Sequence, residues 1–399
     1  MALPNANWNY PTAIRFGAGR IAELPDACRS LGIERPLLVT DPALAEMAMV
    51  KEACAATGAA LFCAIHANPT GADVEAGLTA WREGGHDGVI AFGGGSALDV
   101  GKVIAFMSGQ SRPLWDFEDR EDRWTRADPA EIAPIIAVPT TAGTGSEVGR
   151  AGVILDEEAG LKKIIFHPKM LPAIVILDPA LTIGLPPHVT AATGMDALSH
   201  ALEAYCAPGF HPFADGIAAE CVRLIHDRLV QAVEDGADLD ARGHMLAAAA
   251  MGATAFQKGL GAMHALSHPI GALRGTHHGL TNAVLMPYVL AFNREAVEER
   301  LARLAAYVGL ADASFDGFLQ WVLELRRRLS IPHALGALGV TEEDVERLAA
   351  MAEADPSAAG NPRPFDADDA RDVLKAALSG ELPERRGNIA VRRSPPSRW

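Results

Sequence analysis

The sequence predicts an α/β N-terminal half followed by an all-α C-terminal half, with ligands held between the two. Three observations carry this. Up to about residue 180, short β-rich runs alternate with Ala/Glu-rich segments, the alternation of an open, mostly parallel sheet. Beyond LPPHVTAATG at 185–194, long Ala/Leu/Glu segments of helical period take over. Between them, Gly184 and the paired Pro186 and Pro187 punctuate the chain, so the expected division is an α/β domain over residues 1–184 and an all-helical domain over 185–399. A length of 399 residues allows two domains of ordinary size.

Five apolar runs, each bounded by Gly, Pro or polar residues, read as the strands of the sheet: PLLVT at 36–40, ALFCAI at 60–65, GVIAF at 88–92, PIIAVP at 134–139 and IVIL at 174–177. Helical periodicity marks 213–234, 240–256, 296–308 and 315–329. The last stretch, ERRGNIAVRRSPPSRW at 384–399, is basic and contains Pro and Ser, and is expected to be a loose tail.

With 35 Lys and Arg against 50 Asp and Glu, the net charge is −15, which favours solubility and disfavours nonspecific nucleic-acid binding. MALPNANWNYPT has neither a basic region nor an apolar one, and no apolar run approaches the roughly 18 residues of a membrane span. A cytoplasmic protein with neither membrane nor nucleic-acid partner is expected. The five cysteines (28, 54, 63, 206 and 221) form no CxxC pair, which suits reduced thiols.

VIAFGGGSALDVGK at 89–102 runs a buried strand into Gly93, Gly94 and Gly95 and then a helix start, with Ser96 the expected N-cap. Such glycines let the backbone approach a pyrophosphate, whose charge the free N–H groups of a helix N-terminus stabilise. A second loop, VPTTAGTGSE at 138–147, follows another apolar strand and offers Thr140, Thr141 and Thr144 as hydroxyl donors. Asp41 follows PLLVT directly, where a carboxylate accepts from an adenosine ribose and repels a 2′-phosphate. It precedes the glycines by about fifty residues, whereas the usual fingerprint places its acid about twenty after them, and an Asx turn before Pro42 is its alternative role.

TGMDALSHALEAY at 193–205 sets Asp196 and His200 four apart, on one face of a helix. HALSHPIGALRGTHHG at 264–279 adds His264, His268, His277 and His278. Pro269 predicts a helix beginning about there, which leaves His264 and His268 at a loop-to-helix junction. Only one of the adjacent His277 and His278 is expected to point with His264. One Asp and three His form a mixed O/N set for Fe²⁺, Zn²⁺ or a similar ion with an open position for a substrate oxygen.

GGGSALDVGK, PTTAGTGSE, GMDALSHALEAY and HALSHPIGALRGTHHG, in this order and spacing, resemble the iron-containing (group III) alcohol dehydrogenase family, from FGAGR at 16–20 to NPRPFDADDA at 361–370. The resemblance implies a dehydroquinate synthase-like two-domain architecture with a catalytic metal, iron in the family, in the cleft. It implies Asp196, His200, His264 and His278 as ligands and His268 as an active-site histidine that is not one. It matches Asp41, Gly93, Gly94, Gly95, Ser96, Asp99, Thr140, Thr141, Thr144 and Lys162 to positions that contact NAD, with Asp41 the acid that discriminates against NADP. The implied activity is an NAD(H)-linked alcohol dehydrogenase or aldehyde reductase, by reversible hydride transfer between a primary alcohol or small hydroxy compound and nicotinamide, in a homodimer or larger homo-oligomer.

Lys258 stands where an uncharged residue is usual in the family, and Arg150 and Arg274 add charge beside the motifs. Either these charges are solvated or the pocket takes an anionic aldehyde such as succinic semialdehyde, as a 4-hydroxybutyrate dehydrogenase would. A dehydroquinate synthase-like lyase would need a denser basic site than these mostly apolar stretches offer. A noncatalytic NAD- or metal-binding protein is disfavoured because every chemical position is filled.

Overall fold

A computed structural model describes residues 6–8 and 11–382 of the chain. The tail expected at 384–399 lies outside the described residues. In chain order the first half runs β1 (Ala6–Trp8), β2 (Ala13–Phe16), α1 (Leu24–Ser30), β3 (Pro36–Val39), α2 (Pro42–Ala45), α3 (Ala48–Thr57), β4 (Ala60–Phe62), α4 (Gly71–Gly84), β5 (Gly88–Gly93) and α5 (Gly95–Met107). It continues with β6 (Ile135–Pro139), β7 (Ala151–Asp156), β8 (Leu161–Phe166) and β9 (Ile174–Leu177).

All five expected runs are strands of one sheet, ordered β1-β2-β9-β6-β5-β3-β4, and every pairing but β1 with β2 is parallel. A side-chain period of two explains why these runs read as continuously apolar: both faces are covered. Leu38, Ile90, Phe92, Ile136 and Val138 pack on Leu24 of α1 and Val50 of α3. Their neighbours Leu37, Val39, Val89, Ala91 and Ala137 pack on Val100, Val103 and Ile104 of α5. Each such large side chain, removed from water, contributes about 1.5–3 kcal/mol. The hairpin of β7 and β8 forms a separate antiparallel pair.

The second half is helical: α6 (Pro187–Cys206), α7 (Pro212–Glu234), α8 (Leu239–Ala255), α9 (Ala262–Arg274), α10 (His278–Val308), α11 (Phe315–Arg328), α12 (Val345–Glu353) and α13 (Ala367–Ser379). They share one core, built around residues such as Leu198, Leu229, Leu266, Val284 and Leu304. Among the described residues no helix is long and apolar enough to cross a membrane.

One expectation fails here. Helix α9 begins at Ala262, so Pro269 lies inside it and His264 and His268 are one turn apart on the same helix. An internal proline forfeits a backbone hydrogen bond and costs about 3 kcal/mol. Burial of Met263, Leu266 and Ile270 in the helical core offsets that loss.

The halves meet at the carboxyl ends of the parallel strands, the edge where open α/β sheets bind ligands. The contact is close because glycines make it so. A Cβ on Gly143 would stand 2.7 Å from Thr193 Cβ, and one on Gly145 would stand 2.5 Å from the Ala249 carbonyl oxygen. The loop after β6 therefore lies on the surface of α6 and α8.

Candidate active site

Strand β5 ends at Gly93, whose φ of 145° is a conformation that favours glycine. A Cβ there would meet Ala97 at 2.8 Å, and one on Gly95 would meet Thr144 Cγ2 at 2.7 Å, so the glycine and threonine loops touch. Thr140 N–H donates to the Gly93 carbonyl at 2.9 Å.

The N-cap of α5 is Gly94, not the expected Ser96, and no side chain caps the helix. Ser96 lies inside the first turn, and its hydroxyl donates to the Ala67 carbonyl at 2.6 Å. The glycine turn makes the helix entry by itself, which leaves the first-turn N–H groups unclaimed by any capping side chain. Asp41 caps α2: its Oδ1 accepts from the N–H groups of Ala43 and Leu44, both at 3.0 Å. That leaves Oδ2 with no hydrogen-bond partner among the described residues.

Behind the loops lies a charged layer, of which the sequence reading named Asp99 and Lys162 but not Lys102 or Glu147. Lys102 is fully buried, and its Nζ donates to the carbonyls of Ser146, at 2.9 Å, and Ala151. Burial pulls its pKa down, opposed by the nearby carboxylates of Asp99 and Glu147. Asp99 accepts from the Ser146 hydroxyl and, at 2.9 Å, from Val153 N–H, which ties α5 to the threonine loop and β7. Burial pushes the Glu147 carboxyl up to about 7, with Lys102 pulling the other way. On β8, Lys162 reaches toward α9, its Nζ 3.6 Å from where a Cβ on Gly271 would stand. Burial lowers its pKa, against the fields of Asp99 and Asp196.

The helical half supplies the metal-type donors. One donor atom from each of Asp196, His200, His264 and His278 lies within 4.8 Å of the others. Asp196, His200 and His264 are 2%, 4% and 1% exposed. The α6 and α10 backbones touch here: a Cβ on Gly279, next to His278, would stand 2.3 Å from the Ala192 carbonyl oxygen and 2.9 Å from Asp196 Cβ.

His264 Nδ1 donates to Glu203 Oε2 at 2.6 Å, while Glu203 Oε1 accepts from Met263 N–H at 2.7 Å. A carboxylate acceptor fixes the proton on Nδ1, so Nε2 faces the cluster with a lone pair. Asn282, one turn after His278, donates to Asp196 Oδ1 at 2.8 Å, and its Nδ2 also lies 3.3 Å from His264 Nε2 and 3.2 Å from His278 Nε2.

Burial drives the His200 pKa down to about 4 despite Asp196, and burial together with the neighbouring imidazoles puts His278 well below the usual range. Burial also opposes the charged form of His264, but Glu203 outweighs it and raises the pKa. Two imidazoles are thus already in the neutral form that ligation requires. Buried acceptors converging on a single amide donor have the chemistry of a cation site, and the residues fit a divalent ion.

His268 stands beside this cluster and outside it. Its ring stacks on His278, with centroids 5.4 Å apart and planes at 14°, and meets His264 edge-on at 5.8 Å. Its Nδ1 pairs with Asp355 Oδ2 at 2.9 Å. Burial opposes the charge on Asp355, but the His268 ring and the Ser357 N–H hold its carboxyl below the usual range. His277 points elsewhere and caps α10 by accepting from Leu280 N–H at 3.4 Å.

Of the three basic residues beside the motifs, two are committed to carboxylates. Lys258 is buried against Asp215 at 2.6 Å, and Arg274 is paired with Asp344. Arg150 instead donates to Gln257 Oε1 at 2.9 Å and lies over the Phe166 ring. Gln257 follows Phe256, whose ring is 5.0 Å from that of His200.

Glu203 and Asn282 had a signal in the sequence, since each follows a predicted ligand by about one turn on the same helix face. Asp355 had none, being 87 residues from its partner.

Glycine-rich loops at strand ends, set against a histidine cluster on helices, are the arrangement of an enzyme that holds a nucleotide beside a cation. Residues 11–179 match the model of iron-containing alcohol dehydrogenases, and residues 190–378 match that of the C-terminal part of the Fe-containing alcohol dehydrogenase family. The chain belongs to the iron-containing alcohol dehydrogenase family. It is 40% identical to 4-hydroxybutyrate dehydrogenase of Cupriavidus necator, over 92% of this chain and 99% of that one. Its fold is similar to that of a 1,3-propanediol oxidoreductase, with a TM-score of 0.87 and 34% identity, covering 95% of this chain and all of the other. It is also similar to the sulfoacetaldehyde reductase from Bifidobacterium kashiwanohense solved in complex with NAD+, with a TM-score of 0.84 and 30% identity, covering 95% and 99% of the two chains.

Proposed function

We propose that the chain interconverts a carboxylated primary alcohol and its aldehyde, 4-hydroxybutyrate and succinic semialdehyde, using NAD(H) and a divalent metal. The observation that carries this reading is the 40% identity to a 4-hydroxybutyrate dehydrogenase along nearly the whole of both chains. Arg150, a cation with no carboxylate contact among the described residues, supports the anionic substrate.

In this reading the α/β NAD-binding domain spans 1–184 and the helical catalytic domain 185–399. The glycines 93–95 admit the pyrophosphate to the backbone N–H groups of α5, and Thr140, Thr141 and Thr144 donate to the dinucleotide from the facing loop. Ser96, Asp99 and Lys162 support that same surface. The remaining carboxylate oxygen of Asp41 accepts from the adenosine ribose and repels a 2′-phosphate, which selects NAD.

Asp196, His200, His264 and His278 would hold the ion, which the family indicates is iron, with Zn²⁺ or another divalent ion the alternative. Bound there, such an ion supplies Lewis acidity to the substrate oxygen. His268 carries the proton to and from that oxygen through Nε2, its Nδ1 being engaged by Asp355. We place the enzyme in the cytoplasm as a homodimer or larger homo-oligomer.

Metal analysis of the purified protein, combined with NADH and NADPH assays on butyraldehyde and succinic semialdehyde, tests the reading. Stoichiometric iron, preference for NADH and a higher kcat/KM for the semialdehyde are expected. Equal rates on the two aldehydes would remove the anionic substrate, and metal-free activity would remove the metal. Full turnover and an unchanged pH profile in His268→Ala would remove the proton role of His268.

A further inference from the structure

We propose that Asp355 is a positioning residue that fixes which face and which tautomer His268 presents to the substrate. The proposal rests on the reading of His268 as proton carrier. It concerns what makes that ring competent.

The stacking around His268 leaves the ring undecided. An imidazole flipped by 180° about its Cβ–Cγ bond keeps its plane, so the contacts with His278 and His264 are nearly the same in both orientations. The flip exchanges the places of nitrogen and carbon and so decides whether a nitrogen meets the substrate. Among the hydrogen bonds of the described residues, only the one to Asp355 Oδ2 distinguishes the two. A carboxylate only accepts, so Nδ1 carries the proton and Nε2 keeps its lone pair.

The carboxylate that makes this choice is itself held in place. Asp355 Oδ1 accepts from Ser357 N–H at 2.9 Å and caps the short 3-10 turn at Pro356–Gly360. That turn is pressed onto the start of α9: a Cβ on Gly360 would stand 2.1 Å from the Leu260 carbonyl oxygen. Asn361, directly after it, accepts from Ala262 N–H at 3.2 Å and exchanges two hydrogen bonds with Asn293 of α10, at 2.8 and 2.9 Å. The helices that carry His264 and His278 thus also anchor the segment that carries Asp355. The spacing between the orienting carboxylate and the histidine cluster is set by the same backbone.

Two variants separate orientation from capping. Asp355→Ser keeps an acceptor for Ser357 N–H but is too short to reach the ring, while Asp355→Asn has one amide oxygen for the two acceptor duties, so with the cap kept its NH2 faces Nδ1 and favours the Nε2–H tautomer. For Asp355→Ser we expect kcat to fall about 10–100-fold, with KM for NADH, metal content and Tm held near those of the wild type, and no recovery in Asp355→Asn, which keeps the cap without the second acceptor oxygen. In a His268→Ala background the Asp355→Ser change should have no further effect. An equal loss in both backgrounds, or wild-type kcat in Asp355→Ser, overturns the proposal.

A readout independent of turnover separates this proposal from the proton role of His268. In zinc-loaded, 15N-histidine-labelled protein, the His268 ring shifts should report the Nδ1–H tautomer in the wild type and a mixture in Asp355→Ser. The same tautomer in both proteins overturns the positioning role of Asp355, whatever the kinetics of His268→Ala.

Discussion

Glu203 supports His264 from behind: one carboxylate oxygen takes the imidazole Nδ1–H at 2.6 Å and the other takes the Met263 N–H at 2.7 Å. The charge that raises the basicity of His264 is therefore fixed both to the ring and to the first turn of the helix that carries it. Glu203→Gln keeps the shape and removes the charge. Metal affinity should fall about 10–100-fold, read by chelator competition, with Tm of the metal-free protein little changed. Asp196→Ala or His264→Ala should lose the ion outright, and a variant that keeps its full metal content would drop that residue from the ligand set.

In the proposed reading Asp41 has two duties that one substitution separates. Its Oδ1 caps α2, and a glycine at an N-cap costs only a few tenths of a kcal/mol. Asp41→Gly should therefore leave stability nearly intact while raising the NADPH/NADH ratio of kcat/KM by about tenfold or more. An unchanged ratio would leave Asp41 as a helix cap alone.

Arg150→Ala should discriminate between aldehydes. If its guanidinium receives the substrate carboxylate, kcat/KM for succinic semialdehyde should drop about 10–100-fold, the worth of a lost charge-assisted hydrogen bond. Butyraldehyde should change by less than about twofold. Parallel losses on both would mean that Arg150 only braces Gln257 and Phe166.

Glu147 gives stability a pH dependence with a definite sign. Burial holds its carboxyl protonated up to about 7, whereas in the unfolded chain it ionises near about 4.3. Between those values the unfolded state has released a proton that the folded state keeps, so stability falls as pH rises through that window. The charged neighbour that opposes the shift is Lys102. Glu147→Gln should be more stable than the wild type by about 1–2 kcal/mol at pH 8 and show no gain at pH 4, by urea midpoints at the two pH values.

The parallel strands were legible because a strand buried on both faces is a continuous apolar run. β7 and β8 were not read: β7 alternates buried and half-buried residues, and β8 carries Lys162 and Lys163 through an otherwise apolar run. Two local rules failed for physical reasons. Proline's preference for a first turn was overridden at Pro269 by the burial of its helix, and Ser96 was not needed as a cap because Gly94 made the turn. The candidate Asp and His residues were legible from residue type and spacing, while the choice of His278 over His277 and the separate place of His268 came from the family resemblance. The groups that orient them were less so, because a hydrogen-bonding partner such as Asp355 is chosen by the fold and leaves no mark at a fixed distance along the chain.

Gly143 and Gly145 mould the threonine loop of the first half onto α6 and α8 of the second. This has a consequence in time. A chain made from its N-terminus completes the sheet first, but that loop has no wall to rest against until the ribosome has added α6 and α8. We therefore expect the nascent protein to gain its grip on NAD late, after the strands that lead into the glycine and threonine loops are already folded.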